Sequence, residues 1–294
     1  MKYYITACGC INPYGRTPLE FVHNYPYSSH IDCTQDFRLY DTEILRRHLR
    51  IDISCQFLLE AVHQVADNAI THLYKRIGII VGASCGPLDL QSRFYNSHKK
   101  GQRGSPVLFK MATNNIYSGL IALHYGIHDY NVTLYTGSTA SIDAVNLSID
   151  LLESKTVDAV ICAAVESGTR DVYKGAAAVL IAPVCQHFSN LEVIRGNQLH
   201  LFTNSEILYN LGPYVTDTSY DAFFCDATAK FTLQNIIPKI RDKVICLEQF
   251  SSHFGATAGL LQIIFSLYSQ QRSLLIINKQ RDQFSYLMLR REFL

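Results

Sequence analysis

The stretch Tyr130–Glu166, YNVTLYTGSTASIDAVNLSIDLLESKTVDAVICAAVE, constrains the fold more than any other part of the chain. Val132–Tyr135 is a short β-branched and aromatic run, and Thr136-Gly137-Ser138 is small enough for a tight turn. From Ala140 to Leu152 the residues Ile142, Val145, Ile149 and Leu152 recur at helical spacing, and Asp158–Ala164 then reads as a buried strand. The order is strand, sharp turn, helix, second strand. Ser138, a small polar residue in such a turn, has its side chain at the positive end of the helix, where a nucleophile or an anion is best stabilised.

The 294 residues suffice for one large domain or two small ones with a substantial core. Hydrophobic residues make up 48% and the formal charge is only +1, which argues against a nucleic-acid binder or a polybasic membrane anchor. Nine cysteines, an odd number without paired short spacings, point away from a disulfide framework and a zinc site, and toward buried thiols in a reducing compartment. The N-terminal MKYYITACGC reads as a first strand. The apolar run Ala256–Leu267 is shorter than the roughly 20 residues of a membrane span. The expectation is a soluble, cytoplasmic protein with no metal and no bound cofactor.

Further elements follow from periodicity. Tyr3–Ala7 is expected as a strand, with a turn-rich loop over Gly9–Gly15. Residues 20–45 suit loop and short helix, and Arg46–Leu73 reads as one long amphipathic helix through Phe57, Leu58, Ala61, Val65, Ala69 and Leu73. His48, His63 and His72 have no metal-pair spacing and suit an exposed helix face. Arg76–Ser84 is a buried strand before a Gly-containing loop that lacks the GxGxxG and GK[ST] patterns. Strands are also expected at Gly175–Ile181, Leu191–Arg195, Ser219–Phe224, Val244–Leu247, Leu274–Asn278 and Tyr286–Leu289, with a buried helix at Leu260–Leu267.

These segments resemble the β-ketoacyl synthases, the condensing enzymes of the thiolase fold. ITACGCINPYG is similar to that family's opening strand and loop, and Ser105–Gly126, SPVLFKMATNNIYSGLIALHYG, to its Ser-Pro…Phe…Asn…Gly…Ile-Ala…Tyr-Gly run. Laid on the Thr-Ala-Cys-Ala-Ser-Ser nucleophile segment, Thr136 takes the threonine, Asp158 the aspartate of the following strand, and Ser138 the place of the cysteine. Cys225-Asp226-Ala227-Thr228 matches the Ala-His-Gly-Thr strand end, so Asp226 stands at the first histidine. His253 in SSHFGATAG keeps the second, and Glu248 stands where a lysine is usual. The loop after Arg170-Asp171 is mostly absent, as is the glycine-rich turn between the closing strands. The resemblance implies a single α/β domain over residues 1–294, a thiolase-like αβαβα layered fold with shortened loops and related halves near 1–170 and 171–294.

The departures bear on chemistry. A decarboxylative condensation needs a thiolate, which cysteine supplies at a helix N-terminus, and hydrogen-bond donors for the developing enolate. Ser138 is too weak an acid to ionise without an adjacent base. Asp226 offers acceptors where donors belong, and Glu248 adds a like charge. The resemblance therefore implies a non-catalytic subunit of the chain-length-factor type. It would pair with an active ketosynthase paralogue and a phosphopantetheinyl acyl-carrier protein in a type II polyketide, aryl-polyene-like or fatty-acid-like pathway. By that resemblance Leu108, Phe109, Met111 and Tyr117 would floor the partner's acyl tunnel, and Val132 and Leu134 would lie on the interface strand. Two alternatives stand beside it: a serine-dependent acyl hydrolase using Ser138, His253 and Asp226, and a stand-alone acyl-chain or acyl-carrier binding protein. Each polar residue also has an ordinary use: Ser138 as an N-cap, Asp226 as a turn cap with Thr228, His253 as a hydrogen-bonded remnant.

Overall fold

The computed structural model describes residues 2–25, 51–66, 73–99, 105–168, 173–183, 191–200, 203, 205–206, 209–210, 220, 222–225, 227–236, 244–246, 254–268, 273–281 and 283–291. The first five strands are β1 (Tyr3–Ile11), β2 (Ile77–Ala83), β3 (Tyr130–Leu134), β4 (Ala159–Glu166) and β5 (Gly175–Ala182). The second five are β6 (Leu191–His200), β7 (Ala222–Cys225), β8 (Val244–Cys246), β9 (Ser273–Gln280) and β10 (Gln283–Arg291). Hydrogen bonding joins them in the order β3-β2-β4-β5-β1-β6-β10-β9-β7-β8.

Numbered within each set of five, the order runs 3-2-4-5-1 inward from one edge and again from the other. Strands β2, β3 and β4 are parallel and β5 runs against β4, while β7, β8 and β9 are parallel and β10 runs against β9. The same unit is used twice, joined edge to edge through β1 and β6. The repeat boundary falls after β5, beyond residue 182 and not near 170, because β5 hydrogen-bonds along β4 and β1 of the first unit.

The helices complete the layers: α1 (Pro18–Asn24), α2 (Ile53–His63), α3 (Leu88–Lys99), α4 (Pro106–Met111), α5 (Ile116–Tyr125), α6 (Ala140–Glu153), α7 (Ala227–Ile236) and α8 (Ala258–Tyr268). Strand β4 reads as a continuous apolar run, yet its residues divide between two cores. Ala159, Ile161, Ala163 and Val165 pack with α2 and α5, and Val160, Cys162 and Ala164 with α6 and α8. Side-chain alternation on a strand makes this division, and burial on both faces explains why no polar residue interrupts it. Helices α6 and α8 form the middle layer, with Leu274 and Ile276 of β9 and Leu287 and Leu289 of β10 closing their far side. Helix α7 packs on β7, β8 and β9, giving the expected αβαβα order.

Several expectations shift. Strand β1 continues through Ile11 because Cys10 and Ile11 are fully buried. A Cβ on Gly9 would lie 2.2 Å from the Ala61 carbonyl oxygen, so α2 rests directly on the strand at that glycine. The long helix expected over 46–73 starts only at Ile53, where Asp52 caps it by accepting from the Ser54 N–H (2.9 Å). It stops at His63, since the Gln64 side chain turns to bond Cys10 N–H and the carbonyls of Cys10 and Arg16. Residues 46–50 and 67–72 lie outside the described residues, as do His48 and His72. The polar stretch after Pro87 is a helix, α3, whose single buried residue is Leu90. Among the described residues no helix is long and apolar enough to cross a membrane.

The two buried helices meet where α8 has no side chain. The Gly259 N–H donates to Ser141 Oγ at 3.0 Å, and a Cβ on Gly259 would lie 2.6 Å from Ile142 Cγ1 and 2.7 Å from Ser141 Oγ. Gly259→Ala must therefore separate the helices or displace Ile142. We expect a loss of roughly 1–3 kcal/mol in urea-induced unfolding, the usual cost of overpacking.

Candidate functional site

The turn between β3 and α6 is a single 3-10 turn, Gly137–Thr139. Gly137 has φ +69°, a left-handed conformation that side chains disfavour. Thr139 closes the turn with its Oγ1 2.9 Å from the Thr136 carbonyl oxygen. The second unit repeats the device: Gly255 has φ +53° and Thr257 donates to the Phe254 carbonyl at 2.7 Å, directly before α8. Duplication of the fold thus extends to the two turns that begin the central helices.

Ser138 is half-buried and already engaged. Its Oγ lies 2.7 Å from the Lys279 carbonyl oxygen and 3.0 Å from Gln280 Oε1, and its N–H donates to the same Oε1 at 3.3 Å. All of these partners lie at the end of β9, about 140 residues away. No base faces the hydroxyl among its described contacts, so nothing there withdraws its proton.

Two carboxylates hold the surroundings. Asp143, one turn into α6, accepts from the hydroxyls of Thr136, Thr139 (2.8 Å) and Ser285, and from Gln283 Nε2 (3.3 Å). Glu166, 1% exposed at the end of β4, accepts the hydroxyl of Ser84, the N–H of Gly168 (3.4 Å) and the N–H of Ala256 (3.1 Å). It thereby ties the strand end of the first unit to the helix-initiating turn of the second. Both are missed in reading the sequence. Glu166 carries a faint signal as the charged end of an apolar strand, and Asp143 a local one, four residues after Thr139 in the first turn of α6. Gln280 carries none, because its partner Ser138 is remote in sequence.

The other expected positions sort as follows. Asp226, Glu248 and His253 lie outside the described residues. Asp158 is at the opposite end of β4 from the turn, where it binds the Arg76 guanidinium at 2.7 Å. That guanidinium, together with the Arg76 N–H, holds its carboxyl below the ordinary range. Tyr117 does not reach toward a neighbour. It is fully buried in its own subunit, with its hydroxyl 3.0 Å from Ser54 Oγ on α2, since its position on α5 faces the core. Leu108 and Met111 are partly buried, and Phe109 is 58% exposed with its ring against Phe94. Val132 and Leu134 are partly buried on β3, the outermost strand of the sheet.

A cleft of about 530 Å³ runs beside this strand end, lined by Leu134, Thr136, Asp143, Asn146, Asp150, Glu153 and the β6 residues Gly196–Gln198 among others. Ser138 is not part of its lining. Among the described residues no cluster of acidic, His or Cys side chains is arranged to hold a metal ion.

The sequence profile of the family described as Beta-ketoacyl synthase, N-terminal domain, matches residues 26–184, more than half of the chain. The chain belongs to the β-ketoacyl synthase family. A Streptomyces virginiae protein described as a polyketide beta-ketoacyl synthase is 24% identical over 168 residues, a match spanning 52% of this chain and 40% of that relative. Solved structures show the same fold at low identity. The ishigamide ketosynthase/chain length factor superposes with TM-score 0.79 at 14% identity, with both chains fully covered. A Xenorhabdus doucetiae ketosynthase in complex with its chain length factor gives 0.69 at 13% identity, covering 99% of this chain and 98% of that one. In this ketosynthase-family chain the turn that begins α6 carries Ser138 and the neighbouring hairpin carries glutamines at 280 and 283.

If Glu166 is what fastens the two turns together, Glu166→Ala should strand the buried Ala256 N–H, while the exposed Ser84 hydroxyl can turn to water. We expect a loss of roughly 1–3 kcal/mol in chemical denaturation, the cost of leaving a buried backbone donor unpaired. Ser84→Ala, which leaves the Ala256 bond in place, should lose roughly 1 kcal/mol.

Proposed function

We propose that the chain is a non-catalytic ketosynthase-like subunit of the chain-length-factor type. It would pair with an active β-ketoacyl-ACP synthase in the cytoplasm and help shape the acyl tunnel for substrates carried on a phosphopantetheinyl acyl-carrier protein. The observation that carries this reading is the state of Ser138. The residue at the nucleophile turn is a hydroxyl, and both its Oγ and its N–H are engaged by the end of β9. A hydroxyl is too weakly acidic to take the thiolate's role by itself.

Two surface features support a partner. Strand β3 pairs only with β2 among the described residues, which leaves one side of a partly apolar edge open to another strand. Helix α4 carries Val107, Leu108, Phe109 and Met111 but buries none of its residues in its own subunit, with Val107 and Phe109 more than half exposed. Side chains of this kind, on a helix near the open edge strand, suit the core of an interface. Of these, Leu108, Phe109 and Met111 are also the groups we assign to the floor of the neighbour's tunnel.

Co-expression with the ketosynthase paralogue from the same pathway tests the reading. We expect the two chains to co-purify as a heterodimer, and Ser138→Ala to leave product yield unchanged. Loss of product in Ser138→Ala with the heterodimer intact would sink it. Leu108→Ala or Phe109→Ala should shift the product by about one extension unit, since each removes several methylene equivalents of roughly 0.8 kcal/mol apiece. A normal yield with an unchanged length distribution would reduce the subunit to a scaffold.

A further inference from the structure

The β9–β10 hairpin closes between Gln280 and Gln283, which pair across it, with Arg281 in the left-handed region at φ +54°. Both glutamines reach the turn that begins α6. Gln280 faces the Gly137 and Ser138 side: its Cδ lies 2.6 Å from where a Cβ on Gly137 would be, and its Oε1 accepts the Ser138 N–H at 3.3 Å. Gln283 holds the other side, with Nε2 donating to Thr139 Oγ1 at 3.1 Å and to Asp143 at 3.3 Å. The position of Gln280 is thus fixed by a two-point clamp and does not rest on one flexible side chain.

An N–H at the start of a helix, next to a nucleophile, is the natural donor to the carbonyl oxygen of an acyl group under attack. Here that donor already serves a carbonyl oxygen, the one in the Gln280 amide. We propose that Gln280 is a built-in occupant of the carbonyl seat of this turn, standing where the carbonyl of an incoming acyl thioester would have to sit. The inference rests on the non-catalytic reading and deepens it. The turn is closed from across the molecule, whatever nucleophile residue 138 carries. Returning a cysteine to position 138 should therefore not be enough to open the site.

The test is alkylation of Ser138→Cys by iodoacetamide, followed by mass spectrometry of the peptide, alone and combined with Gln280→Ala or Gln280→Asn. The asparagine keeps an amide on the hairpin one methylene short of the turn. We expect Cys at 138 to label slowly alone, and roughly tenfold or more faster in either combination, the order expected when hydrogen bonds that must open first are removed. Cys8, Cys10, Cys55 and Cys162 are buried and should stay unlabelled, which reports an intact fold. Should Gln280→Ala expose them, Gln280→Asn decides. Equal labelling rates with and without Gln280 overturn the proposal. The two readings fail separately: an acyl adduct on Ser138 of the unaltered chain overturns the non-catalytic reading, and equal labelling overturns the plug.

Discussion

The close approach of α6 and α8 is the contact on which the rest of the structure depends. Both helices are buried in the one layer between the two half-sheets, so the two units pack there helix against helix. The approach is possible because Gly259 presents bare backbone to Ser141, which accepts its N–H. Each helix begins from the same kind of turn, a left-handed glycine followed two residues later by a threonine bonded back to the turn. Close packing of the helices therefore brings their N-termini, and the residues that serve them, into one region. Positive helix ends and short loops in one place are what give such a fold a site for acyl chemistry.

The same packing explains what could and could not be read from sequence. The βαβ stretch Tyr130–Glu166 was legible because local rules suffice: alternation, a small turn and a 3-4 apolar period. The layered fold was legible through its resemblance to the ketosynthases. Three things were not. The C-terminal end of α2 is set by Gln64 reaching β1, a contact 54 residues away that periodicity does not register. Tyr117 has the size and spacing of a tunnel residue, but only the three-dimensional position of α5 shows that it faces inward to Ser54. Gln280 sits in a polar hairpin and looks like any surface glutamine until its partner, Ser138, is known.

The turn that begins α6 also carries a structural requirement. The first N–H groups of a helix have no intrahelical acceptor. In a working enzyme a substrate oxygen can satisfy the donor beside the nucleophile, at least during turnover. Without a substrate the donor is left to water or to a side chain. In this chain the Gln280 amide accepts the Ser138 N–H, while Asp143 and Glu166 keep the hydroxyls and the second turn fixed.

Asp143 and Glu166 belong to the architecture as much as to the site, because one joins α6 to β10 and the other joins the two units. Substitution at either leaves several donors without partners, each costing about 1–3 kcal/mol when buried. Substitution at Ser138 removes a hydroxyl whose described partners all lie on one hairpin. Residue 138 is therefore a position that a chain like this can exchange cheaply, and Asp143 and Glu166 are the ones it must keep. That asymmetry accounts for a molecule whose fold and turn geometry persist around a serine bonded to the β9–β10 hairpin.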